Sequence, residues 1–253
     1  MEKREPLLTQ EYFDKKVAYR RARIPEMEQK LARATSPVLY RAEYSYSIFL
    51  STYQLPILLY SAGESINEVR ASFHSVLPIW ERYKRLADEA YSAQDKPQRP
   101  TFVASLDQYV TALWLISLAI IFVIDDSSFA HLVRLADNEG KANNEGQDLL
   151  YESLVATRLK DRKKADKLLY PKPYRSLYAA ISAPKEEQPK LFKEFLQRWY
   201  PSMKSTYWHD CHNGPEGGGF FGYWAIEARG VVKAFNIDDS SFRDSNYYPR
   251  DLS

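Results

Sequence analysis

Paired aspartates occur twice in this chain, in the same setting. Ile124-Asp125-Asp126-Ser127-Ser128-Phe129 recurs as Ile237-Asp238-Asp239-Ser240-Ser241-Phe242, 113 residues later. Adjacent carboxylates can hold a divalent cation or share acid–base work. Asp and Ser side chains also accept hydrogen bonds from the free N–H groups at a helix start. The capping role is the expected one, because a catalytic pair would not be needed twice. Asp126 or Ser127 is predicted to cap a helix running through Phe129–Leu135. Agreement continues upstream, where Phe122 matches Phe235 and small Ser117 matches Gly230. Each copy follows an apolar run, Leu113–Val123 and Phe220–Phe235. The repeat predicts two related helical halves, 1–140 and 141–253, each with a core helix ending at the motif.

Four further stretches carry reactive residue types. Trp208-His209-Asp210-Cys211-His212 gathers metal-ligand types in one run, but metal sites draw on separated ligands and a second cluster. A structural role at a helix end is expected there. Glu227 lies three residues after Trp224 and four before Val231, on the apolar face of its helix. A carboxylate in that place must be hydrogen bonded, paired or protonated, and a structural tie between helices is expected. The run Lys160–Lys167 could touch phosphates, yet it has no interleaved aromatics and no recognisable nucleic-acid motif. Gly217-Gly218-Gly219 lacks the lysine and the preceding strand of a phosphate loop. No Ser/His/Asp or Cys/His arrangement emerges. The residues predict no catalytic machinery, no cofactor and no metal.

Elements that position these residues read as helices throughout, with no sustained period-two alternation. Thr9–Arg33 is a basic helix that Pro25 is expected to kink or divide in two, and Ser36-Pro37 opens a second helix to Ser61, stopped at Gly63. Ser65 caps a third, Ile66–Tyr91. Gln94–Pro100 is a loop. Ser105–Ile124 is apolar nearly all round, as a helix buried on every side must be. Polar Asp137–Gly146 separates the halves. Gln147–Leu159, a short helix from Pro173 to Ile181, Lys185–Trp208 and the core helix Phe220–Phe235 follow, and the tail Tyr247–Leu252 packs extended. The fold class is all-α, a multi-helix bundle.

Hydrophobic residues make up 45% of the 253 and charged residues 27%, ordinary values for a globular chain. One cysteine, Cys211, excludes an intrachain disulfide and fits a reducing cytoplasm. No signal-peptide pattern opens the sequence, and Tyr109–Ile124 is shorter than the ~20 residues a spanning helix needs. The net charge of +2 is unevenly spread. Residues 61–152 carry 14 acidic and 8 basic groups, whereas 153–175 carry 2 and 8. Such asymmetry steers charged partners.

The C-terminal third resembles a known family. Phe221-Gly222-Tyr223-Trp224-Ala225-Ile226-Glu227-Ala228, then Ile237-Asp238-Asp239-Ser240-Ser241, then Tyr247-Tyr248-Pro249-Arg250-Asp251-Leu252 are similar in kind and order to the C-terminal domain of the PoNi immunity proteins. The resemblance implies an all-α, non-enzymatic protein that binds a cognate PoNe-type DNase toxin, a polymorphic effector exchanged between competing bacteria, often by type VI secretion. It implies neutralisation by covering the nuclease active site or DNA groove. Its partner is then a nuclease toxin, with no direct nucleic acid and no membrane. The signature residues Gly222, Tyr223, Trp224, Glu227, Asp238, Asp239, Ser240, Tyr248, Pro249 and Asp251 are expected to serve folding. A basic DNA-binding surface calls for acidic groups on its inhibitor, so Asp137, Glu139, Glu145, Asp148 and Glu152 are predicted to face the toxin. The competing readings are a metal-dependent helical hydrolase using Glu227, Asp238, Asp239 and His209 or His212, and a nucleic-acid binder using Lys160–Lys167.

Overall fold

The computed structural model describes residues 2–93, 102–138 and 144–253, among which the regular structure is entirely helical. The chain divides into two compact units, 1–99 with 211–222 and 100–210 with 223–253. They are cut differently from the halves at 140/141, because the core helices of both halves lie in the second unit.

The first unit holds α1 (Gln10–Ala32), α2 (Val38–Ala62), α3 (Ile66–His74) and α4 (Val76–Ala93). Local chemistry sets most of their ends. The Thr9 hydroxyl accepts from the N–H of Tyr12, and that of Ser65 from the N–H of Glu68. Gly63, at φ 94°, closes α2 in the left-handed conformation that favours glycine. Pro25 and Pro56 lie inside continuous helices. Ser36 does not cap α2; Pro37 occupies the cap position without a side-chain bond. The predicted third helix is two helices parted at Ser75. The Ser75 hydroxyl donates to the carbonyl of Ser72 at 2.7 Å, and Pro78 has no N–H to bridge the break. Helix α2 packs against α1, α3 and α4. Its Phe49 stacks on Trp80 with ring centres 5.4 Å apart, and Tyr53 is buried beside it. Each such burial contributes about 1.5–3 kcal/mol.

The second unit holds α5 (Leu106–Ile121), α6 (Asp126–Asp137), α7 (Leu149–Val155), α8 (Pro171–Ser182), α9 (Gln188–Ser202) and α10 (Ile226–Phe235). Every residue of α5 from Tyr109 to Ile121 is buried, as its apolar circumference requires. Helix α10 is shorter than predicted: Phe220–Ala225 is buried but not helical. The N–H of Ala225 instead donates to the carbonyl of Tyr247 at 2.8 Å. Among the described residues, no helix is long and apolar enough to cross a membrane.

The repeat is physical in this unit. Phe122 and Phe235 are followed by Val123 (φ 52°) and Asn236 (φ 51°), both left-handed. The next residue closes each helix identically: Ile124 N–H donates to Ala119 O at 3.2 Å, and Ile237 N–H to Val232 O at 3.1 Å. Helices α5 and α10 also meet at equivalent positions. Trp114 donates its indole N–H to Glu227 at 2.7 Å, a pair 113 residues apart. One turn on, a Cβ on Gly230 would sit 2.4 Å from the Ser117 hydroxyl and 3.0 Å from its Cα. Antiparallel helices keep the sum of contacting residue numbers constant, whereas parallel helices keep the difference constant. The constant difference of these two pairs makes α5 and α10 a parallel pair about a local pseudo-two-fold axis.

Candidate functional site

In each copy one of the duplicated aspartates binds backbone and the other pairs with side chains. Asp125, one residue before the predicted cap, accepts from the N–H of Ser128 at 2.9 Å and opens α6. Asp126 is exposed and pairs with Arg158, which lies over the Phe129 ring. In the second copy no helix follows. Asp238 instead accepts from the N–H and hydroxyl of Ser240, both at 3.0 Å. Those bonds, the backbone N–H foremost, hold its carboxyl below the usual carboxylate range. Asp239 accepts from Arg229 at 3.1 Å and from the Tyr248 hydroxyl at 2.8 Å. Arg229 also donates to Leu252 O at 2.7 Å. Asp239 therefore latches the tail: Tyr248 and Pro249 are buried, and exposed Asp251 lies 4.0 Å from Arg250.

Glu227 is a carboxylate set deep in the second unit. It is fully buried in the first turn of α10. Trp114 donates to one carboxylate oxygen at 2.7 Å and Trp199 to the other at 2.6 Å. The Tyr174 hydroxyl, buried beside them, is near enough to favour the charged form but makes no hydrogen bond. Burial outweighs these donors and pushes the carboxyl up to about 7. The arrangement ties α10 to α5 and α9, among the buried indoles of Trp114, Trp199 and Trp208. Gly222 (φ 107°) holds a backbone conformation costly for any other residue, and Tyr223 and Trp224 are buried.

Of the residues predicted to face a partner, Glu139 lies outside the described residues. Asp137, Asp148 and Glu152 are 7%, 0% and 8% exposed and turn inward. Asp148 caps α7, accepting from the N–H groups of Tyr151 and Leu169 and from the Tyr109 hydroxyl, each within 2.9 Å. Asp137 and Glu152 share the guanidinium of Arg162, with bonds from 2.7 to 3.2 Å. Partly exposed Glu145 lies 3.9 Å from Arg162 and accepts from the N–H of Lys163 at 3.1 Å. Burial raises the carboxyls of Asp137 and Asp148, opposed by Arg162 for the first and by backbone N–H groups for the second. At Asp137, Asp148 and Glu152 the stretch thus presents no open acidic face; these carboxylates neutralise the partly buried Arg162 and cap a helix. Sequence reasoning missed Arg162. The signal was the acidic block followed at once by the basic one, opposite charges that partly serve each other.

The remaining stretches are occupied as well. His209 stacks on Tyr200 at 4.3 Å and lies 3.1 Å from Asp210. No group of three or more His, Cys, Asp or Glu among the described residues is placed to hold a metal ion. The glycine loop turns carbonyls toward α1: the Tyr12 hydroxyl bonds Gly217 O and Phe220 O, and Lys16 bonds Gly218 O. A phosphate would need N–H groups there. Lys160–Lys167 is exposed apart from Arg162 and Ala165, and is not helical.

Comparison with known proteins accounts for nearly the whole chain. A family model described as PoNe immunity protein (PoNi), N-terminal, matches residues 4–134. One described as PoNe immunity proteins (PoNi), C-terminal, matches residues 146–252. No curated protein matches. The crystal structure of protein PA2201 from Pseudomonas aeruginosa is similar in fold, with a TM-score of 0.75 at 17% identity over 100% of this chain and 90% of that one. With both models matched in order along the chain, the chain belongs to the PoNi family of PoNe immunity proteins.

Proposed function

We propose that this protein binds a cognate bacterial DNase toxin in a fixed stoichiometry and neutralises it by covering its active site or DNA-binding surface. The observation that carries the reading is the ordered match of both immunity-family models along the chain. The disposition of reactive groups supports a binding role over an enzymatic one: the duplicated aspartates, Glu227 and the acidic stretch are engaged in caps, latches and buried pairs. The protein acts in the cytoplasm of the cell that makes the toxin, where the chromosome needs protection, and the toxin is one delivered between competing bacteria, as by type VI secretion. Asp137, Glu145, Asp148 and Glu152 enter this proposal as supports of the partner-facing surface, not as its contacts.

The test mixes purified toxin with increasing amounts of this protein and follows plasmid degradation. Nuclease activity should fall linearly and vanish at a whole-number ratio, with a stable complex on gel filtration. A complex whose bound toxin still cuts DNA would overturn occlusion, and absence of any complex would overturn the partner.

A further inference from the structure

The segment joining α7 to α8, residues 156–170, has no helix or strand of its own, yet it is fixed at several points. Arg162 is sunk between Asp137 and Glu152. The carbonyl of Lys167 accepts from the N–H of Leu149 at 2.9 Å. Asp148 accepts from the N–H of Leu169 at 2.8 Å, and Glu145 from that of Lys163 at 3.1 Å. A Cβ on Gly146 would sit 2.8 Å from that of Lys163. Buried ion pairs are a poor source of net stability, since desolvation offsets most of the attraction. Their use on a connecting loop fixes its position instead.

What is held in place is a row of lysines. Lys160, Lys163, Lys164 and Lys167 are exposed, with Asp161 and Asp166 exposed between them. Lys160, Lys164 and Lys167 make no ion pair among the described residues, and Lys163 has only Glu145 at 3.8 Å. Asp161 adopts φ 59°, a left-handed turn in the middle of the row. Surface lysines usually lose backbone and side-chain entropy on docking; a backbone already fixed lowers that cost.

We propose that residues 160–167 form a pre-organised docking surface for an acidic face of the partner protein. This rests on the reading that the partner is the toxin. A protein occupant is favoured over a polyanion by the row itself. Asp161 and Asp166 would repel a continuous phosphate backbone, and the segment offers no aromatic ring for base stacking. A fixed alternation of signs suits the mixed charges of a protein surface, where complementarity sets specificity and association rate.

The test is the triple variant Lys160→Glu, Lys164→Glu, Lys167→Glu, with Arg162 kept, beside a Lys→Gln triple. Association with the immobilised toxin is followed at low and physiological salt, alongside thermal unfolding and retention of the wild type on duplex DNA. The charge reversal should slow association on the order of tenfold or more at low salt, the Gln triple by less, with unfolding unchanged. Equal association rates for wild type and both variants would overturn the surface. So would wild-type retention on duplex DNA at physiological salt that the reversal abolishes, which would assign the row to nucleic acid. A wild type that does not bind the toxin at all would instead sink the proposed function.

Discussion

Glu227 makes the stability of the second unit depend on pH in a direction opposite to that of an ordinary buried ion pair. Its carboxyl is raised by burial from the usual 4.5 to about 7, so the folded state holds a proton that the unfolded state has released between those values. The associated stability is present below pH 4.5 and is lost as pH rises through 7. A displacement of that size corresponds to about 3 kcal/mol across the window. The perturbation is Glu227→Gln, which cannot titrate. Its cost comes from geometry: the two indoles donate to different oxygens, and an amide offers one oxygen while its NH2 confronts the other indole N–H. That mismatch costs about 1–3 kcal/mol. At pH 5 the wild type should therefore be the more stable by about that amount. By pH 8 the two should be close, because the wild type then bears the buried charge. The assay is urea unfolding at pH 5, 6, 7 and 8, followed by tryptophan fluorescence, since Trp114, Trp199, Trp208 and Trp224 all lie in this unit. Subtracting one protein from the other cancels groups common to both, the raised Asp148 among them. A difference that stays constant from pH 5 to 8 would refute the reasoning.

Three other outcomes are expected. Gly230→Ser should destabilise by about 1–3 kcal/mol, because its side chain would meet Ser117; adding Ser117→Gly should recover most of the loss in a double-mutant cycle of melting temperatures. Asp239→Ala should cost roughly 2 kcal/mol by stripping Arg229 and Tyr248 of their shared acceptor, and Asp238→Ala less, with toxin affinity kept in both; calorimetry and titration check this, and lost affinity at unchanged stability would make the turn a contact. Arg162→Met should cost about 3–5 kcal/mol by leaving Asp137 and Glu152 buried without their cation, and should speed limited tryptic cleavage at Lys163 and Lys164.

How much was legible depended on whether a feature is local. The cap at Ser65 and the stop at Gly63 are written within a few residues, and the structure uses them as read. The apolar circumference of α5 is likewise a property of one segment. The failures share a cause, since they turn on what a segment meets. Phe220–Ala225 is as apolar as a helix, but its hydrogen bond goes to Tyr247, in the distant tail. The acidic stretch looked like a surface because its counter-charge, Arg162, comes 10 to 25 residues later. The capping and tie roles expected for Asp238 and Glu227 were inferred from residue type alone. Only the structure names Trp114 and Trp199 as the donors, because periodicity shows which face is buried and not what covers it.

The repeat carries the same lesson in a sharper form. Residues off the pseudo-two-fold axis can stay identical in both copies, because each meets its own surroundings: Phe129 and Phe242 are both buried, and Ile124 and Ile237 close their helices with the same bond. Residues on the axis meet their own equivalents and cannot stay identical. Two glutamates there would repel in a dry core, two indole N–H groups would lack an acceptor, and two serines would collide where even one methyl is too large. The pairs found are complementary instead, a donor against an acceptor at Trp114 and Glu227 and a hydroxymethyl against a hydrogen at Ser117 and Gly230. Divergence at these positions is therefore what joining two like halves through parallel helices demands. It also explains why the duplication is visible in a surface turn and hidden in the core that the duplication built.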